Sequence, residues 1–79
     1  MSSQVTVRFW AGARRAAGRD SEQCEASTVA QLLEQLSSRP PLAAIIRASS
    51  ILVNGVAAKG DTALPEGATI DVLPPFAGG

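Results

Sequence analysis

Histidine and tyrosine are missing from these 79 residues, and cysteine, tryptophan and methionine occur once each. Without histidine, a serine or cysteine nucleophile has no usual base, and zinc loses one of its commonest ligands. Without tyrosine the inventory for proton transfer is thinner still. A lone Cys24 excludes an internal disulfide and any multi-cysteine metal or iron–sulfur site, and it reads as a structural strand residue. No charge of one sign prevails, since seven Lys/Arg face seven Asp/Glu. The chain therefore has no net field to draw in nucleic acid or a membrane surface. No segment approaches the ~18 consecutive apolar residues of a membrane span. Met1-Ser2-Ser3-Gln4 lacks the basic-then-apolar order of a signal peptide, so a cytoplasmic protein is expected. The body is a poor candidate for an enzyme.

What is present suits one small α+β domain. The apolar fraction is 46%, enough for a core. At this length folding buries a little over ~60% of the surface of the unfolded chain, so stability should be modest. Residues 5–10 alternate with period two, with Val5, Val7 and Phe9 on one face of a strand and Thr6, Arg8 and Trp10 on the other. Residues 11–18 break the pattern and read as a loop with room for one short helical turn. Arg8, Arg14, Arg15 and Arg19 cluster in this quarter, either as a solvated loop or as a basic rim facing a partner. Residues 21–26 read as an edge-like second strand.

Thr28 as N-cap and Gln31 three residues on form a capping box for the clearest helix. Val29, Leu32, Leu33 and Leu36 make its apolar stripe, which places Leu33 in the core. Pro40 and Pro41 end it. Leu42, Ile45 and Ile46 follow at helical spacing and suggest a short second helix. Residues 51–53 form a strand that turns at Asn54-Gly55, a dipeptide suited to a tight hairpin, and residues 56–58 return. Residues 69–73 form the last strand, with Ile70 and Val72 inward and Leu73 outward. The order predicts a mixed sheet of about four to five strands with one main helix across it. The domain spans residues 1–73, and residues 74–79 form a projecting tail. If the first and last strands are parallel neighbours, Trp10 and Leu73 share the open face as a contact surface. The alternative is that the loop at residues 14–17 folds back over Trp10.

The tail reads Pro74-Pro75-Phe76-Ala77-Gly78-Gly79. Two prolines after a strand remove two donors and stop the sheet from extending. They also favour an extended stem. Six residues at ~3.3 Å each reach about 20 Å, enough to enter another protein's active site. Gly78 and Gly79 carry no Cβ and pass through a narrow slot. A terminal carboxylate, with an ordinary pKa near ~3.5, is ionised at neutral pH and able to attack an activated phosphate.

The order of elements resembles the ubiquitin-like β-grasp fold. The run from Leu73 to Gly79 resembles the ending of the small subunit of molybdopterin synthase. Phe9-Trp10-Ala11 with Arg14 and Gly18, Val53-Asn54-Gly55, and the turn from Leu64 to Gly67 are similar to its patterns, so the resemblance covers essentially the whole chain. Phe76 departs from it, standing where a smaller aliphatic residue is common. The ending is shared with the thiamine sulfur carrier; the first strand favours the molybdopterin branch. The resemblance implies that an ATP-dependent, ubiquitin-activating-like adenylyltransferase adenylates the Gly79 carboxylate, and that a sulfur donor converts it to a thiocarboxylate. The tail would then enter the large catalytic subunit of molybdopterin synthase, which builds the dithiolene of the molybdenum cofactor. By position, Trp10, Leu73, Pro74, Pro75, Phe76 and Ala77 match partner contacts, and Arg14 matches an arginine of the pattern. The implied chain binds no cofactor or metal itself; ATP, and any zinc, belong to the activating enzyme. Two further readings stay open. The sulfur could go to thiamine, cysteine or a sulfur-containing natural product, or Gly79 could be conjugated to lysines of target proteins as in ubiquitin-like modifiers. An acyl carrier is excluded, because no attachment serine of the Asp-Ser-Leu type opens a helix.

Overall fold

The structure, a computed structural model, describes residues 2–75. Five strands form one mixed sheet: β1 (Ser3–Phe9), β2 (Ser21–Ala26), β3 (Ser50–Val53), β4 (Val56–Ala57) and β5 (Thr69–Leu73). Their spatial order is β2-β1-β5-β3-β4, so the last strand in sequence lies at the centre. β1 runs parallel to β5, while the β1–β2, β3–β5 and β3–β4 pairs are antiparallel. Three helices complete the domain: α1 (Gly12–Ala17), α2 (Val29–Leu36) and α3 (Pro40–Ala48).

Alternation along the strands decides which face is buried. Val5, Val7 and Phe9 of β1, Ile51 and Val53 of β3, and Ile70 and Val72 of β5 all join the core. Val29, Leu32 and Leu36 of α2, with Leu42 and Ile46 of α3, cover them. At ~25 cal/mol per Å² of apolar surface removed from water, this shared layer is the main favourable contribution to folding. Leu33 is half-buried and packs against the margin of the core, not within it. Its place at i+4 from Val29 puts it at the edge of the apolar stripe, facing a surface depression that it lines with Ile46, Ile51 and Ala57.

Local chemistry accounts for most of the boundaries. The Thr28 side chain accepts a hydrogen bond from the Gln31 amide at 3.2 Å and opens α2. The Gln31 side chain reaches back to the Ser27 amide, one residue before the cap, so the box closes slightly wider than expected. Pro40 and Pro41 do not simply stop α2. They occupy the first positions of α3, where a missing N–H leaves no intrahelical bond unmade. α3 is nine residues long against eight for α2, so the two helices are equals. Asn54 and Gly55 both take positive φ, at 49° and 83°, and close the β3–β4 hairpin.

The loop expected over residues 11–18 is instead largely the helix α1. Its Ala13 is fully buried, and Gly18 ends it in the left-handed conformation with its amide on the Arg14 carbonyl. Small alanines let this short element approach the core closely, which compositional breaking of the strand pattern does not reveal.

Candidate functional site

The outward face of β1 and β5 carries the site. Register places Arg8 beside Asp71 and Phe9 beside Val72. Trp10 and Leu73 follow one step further at the same end of the sheet, where β5 hands over to Pro74. The Trp10 amide donates to the Val72 carbonyl at 3.3 Å, which ties the end of β1 to β5. The first of the two open arrangements is therefore the one adopted. α1 packs toward the core and leaves the Trp10 side chain exposed, with the residue at 44% of its free area. Leu73 and Pro74 are half-buried and Pro75 is exposed.

Trp10 is exposed but tethered. Its indole N–H donates to Asp71 Oδ1 at 2.9 Å. The Arg8 guanidinium donates to the same carboxylate twice, from Nε to Oδ1 at 2.7 Å and from a terminal nitrogen to Oδ2 at 3.1 Å. The guanidinium carbon also lies 5.4 Å from the centroid of the indole ring, within cation–π range. Asp71 is only 6% exposed, and it is the buried charged residue among those described. The hydrogen bond from Arg8 holds its carboxyl below the usual carboxylate range. Burial opposes this, while the indole N–H and the charge of Arg8 reinforce it.

Beside Trp10 lies a cleft of about 300 Å³, lined by Arg8, Phe9, Trp10, Arg14, Asp20 and Ser21. The Arg14 guanidinium donates to Asp20 at 3.3 Å across its exposed rim. So Arg14 stands next to Trp10, as a basic rim would require, but partly neutralised. Cys24 sits on the inward side of β2 with its thiol hydrogen-bonded to Glu22 at 3.7 Å. Burial first, and then the charge of Glu22, push that thiol up to about 11, which disfavours the thiolate at neutral pH. Among the described residues no three of His, Cys, Asp and Glu come together as a metal site. No helix of the described residues is long and apolar enough to cross a membrane.

Of the site residues expected from sequence, Trp10, Arg14, Leu73, Pro74 and Pro75 fall within the described residues. Trp10, Leu73 and Pro74 come to one end of the open face, and Arg14 joins through the cleft. Phe76, Ala77, Gly78 and Gly79 lie outside the described residues. Sequence reasoning placed Arg8 on the outward face with Trp10 and in the candidate basic rim, but missed Asp71, the carboxylate that joins them. The available signal was an acidic residue at an outward position of the last strand, opposite an arginine at an outward position of the first.

The ThiS family model matches residues 7–79 of the chain. No curated protein sequence matches it significantly. Among solved structures, the chain is similar to small archaeal modifier protein 1 from Methanosarcina acetivorans. That likeness has a TM-score of 0.83 at 26% identity, and covers 100% of this chain and 99% of the other. It is similar to the HVO 2177 protein of Haloferax volcanii with a TM-score of 0.82 at 28% identity, covering 99% and 88% of the two chains. It also resembles a chain of the complex between subunits 1 and 2 of the molybdopterin-converting factor of Helicobacter pylori. There the TM-score is 0.76 at 25% identity, with 96% and 99% covered.

Proposed function

The chain belongs to the ThiS family, with the ubiquitin-like β-grasp fold, and on that premise we propose that it is a sulfur carrier acting through the carboxylate of Gly79. The observation that carries this reading is the family match, which runs through Gly78-Gly79 and covers nearly the whole domain. In the proposed reaction the Gly79 carboxylate attacks the α-phosphate of ATP on an adenylating enzyme and releases pyrophosphate. Hydrosulfide-level sulfur from a donor then displaces AMP and leaves a thiocarboxylate. The chain is the substrate in these steps, and adenylation chemistry resides in its partner.

We assign the sulfur to the dithiolene of molybdopterin, formed on a large catalytic subunit that receives the tail in the cytosol. Support comes from the pattern around Phe9-Trp10-Ala11 and from likeness to a protein seen in complex with its second subunit. The exposed Trp10 with Leu73 and Pro74 at the root of the tail supplies a docking surface suited to that partner. A second reading is favoured by the likeness to small archaeal modifier protein 1: conjugation of Gly79 to lysines of other proteins.

One experiment tests the carrier reading. The chain is incubated with ATP, the adenylating enzyme and sulfide, and weighed intact. Replacement of one oxygen by sulfur is expected, and an unchanged mass rejects the proposal. Transfer of the thiocarboxylate sulfur into a dithiolene product when a synthase large subunit is added supports the molybdopterin destination. Adducts that survive boiling in denaturant and reductant point to conjugation instead.

A further inference from the structure

Asp71 occupies the outward face of the central strand, where a neighbouring carboxylate would ordinarily be solvated. It is instead almost fully buried beneath the side chains of Arg8 in β1 and Trp10 just after it. Burying a charge carries a desolvation cost that a partner must offset. That partner, Arg8, has a side chain 49% exposed, so the ion pair contributes little to folding. A cross-strand apolar pair would stabilise β1 on β5 at least as well. What the carboxylate gains from its position is geometric. Three donors converge on it, and one of them is the indole N–H of an otherwise exposed tryptophan.

An indole has a single hydrogen-bond donor, so fixing that N–H selects which ring edge faces the sheet. Arg8 then lies over the face of the ring. The backbone is held as well. The Ala13 amide bonds the Trp10 carbonyl at 2.9 Å, and Ala11 between them takes φ 48° and ψ −124°, a region favoured by glycine. Strain is thus accepted at the residue next to Trp10. Backbone, ring edge and ring face are all constrained at the root of the tail.

We infer that Asp71 is a positioning residue for docking: its carboxylate holds the Trp10 indole in the orientation that the adenylating enzyme recognises. This rests on the carrier reading above. A preset aromatic anchor spares the loss of rotamer freedom on binding, so Asp71 acts on affinity for the partner and not on the chemical step.

The test uses the full chain and its adenylating enzyme, with pyrophosphate release as the readout. Asp71→Asn keeps the shape but removes the charge and leaves one acceptor oxygen. It should raise the KM for the carrier on the order of tenfold with kcat unchanged. Trp10 is the chain's single tryptophan, so its indole N–H resonance is unique. Its exchange with solvent should accelerate in Asp71→Asn. Trp10→Phe keeps an aromatic ring without the N–H, and should itself raise KM. Adding Asp71→Asn to it should change KM by no more than about twofold, since coupled sites are not additive. An unchanged KM in Asp71→Asn, or an equal further rise in the Trp10→Phe background, overturns the inference. So does a rise in KM explained by a loss of folded protein in thermal melts. If Asp71→Asn does not fold, an unchanged KM in Trp10→Phe overturns it alone. Absence of pyrophosphate release with the unaltered chain removes the carrier reading itself, and the docking role with it.

Discussion

Asp71 and Cys24 are both acids withdrawn from water, yet their proton affinities move in opposite directions. Burial penalises the charged form of each. At Asp71 the donors from Arg8 and Trp10 outweigh that penalty, and the carboxyl is lowered. At Cys24 the nearby charge of Glu22 adds to it, and the thiol rises to about 11. The Asp71 shift makes the small contribution of its ion pair to stability depend on pH. Its folded value lies below the ordinary ~3.9 of an unfolded aspartate, so its contribution is complete above that pH. The contribution is lost as pH falls through the folded value. Urea denaturation of the unaltered chain and of Asp71→Asn should therefore differ most near neutral pH. The gap should close as the solution is acidified below about pH 4.

The elements show what a short sequence pattern fixes and what packing adds. α2 has a capped start and a stripe of four apolar residues, and three of them reach the core. Leu32 is fully buried, and Leu32→Ala should cost roughly 2–5 kcal/mol by emptying a site that neighbours cannot fill. Leu33 is half-buried at the margin of the core, so Leu33→Ala should cost clearly less. Chemical denaturation of the two variants side by side checks the order. β2 is anchored beyond its pairing with β1: the Arg39 guanidinium, at the entry to α3, donates to Glu22 at 2.8 Å. That contact spans the sheet and the helical layer, and it draws the α2–α3 junction over the inward side of β2.

For the whole molecule, the decisive feature is that the chain's last strand is its central one. β5 is paired on both sides, and its far end delivers residues 74–75 next to Trp10. Residues 74–75 thus leave from the middle of the sheet. Under the carrier proposal the tail adds chemistry and no core. Deleting Gly79 should abolish sulfur loading, read by intact mass, while the melting curve stays within error of the unaltered chain. Marginal stability is the rule for a domain this size, at ~5–15 kcal/mol, so the contrast with Leu32→Ala should be sharp. One variant loses function while folded, and the other loses the fold.

Sequence alone determined the elements whose signals are local. Alternation in β1 and β5, the Thr28 cap, the Asn54-Gly55 turn and the inward set of Val5, Val7, Phe9, Ile70 and Val72 are all readable over a few neighbouring residues. The α+β class follows from them, together with the resemblance that runs along the chain, whereas sequence leaves the exposure of Trp10 open between two arrangements. Tertiary structure decided the rest. α1 forms because alanines fit against a core assembled from distant strands, and Pro40-Pro41 serve as a beginning because α3 has somewhere to pack. Leu33 is left half-buried at the margin of the core. The grouping of Arg8, Trp10 and Asp71 exists only once β1 and β5, some sixty residues apart, lie in parallel register, since side-chain contacts across a sheet depend on pairing that no local pattern encodes.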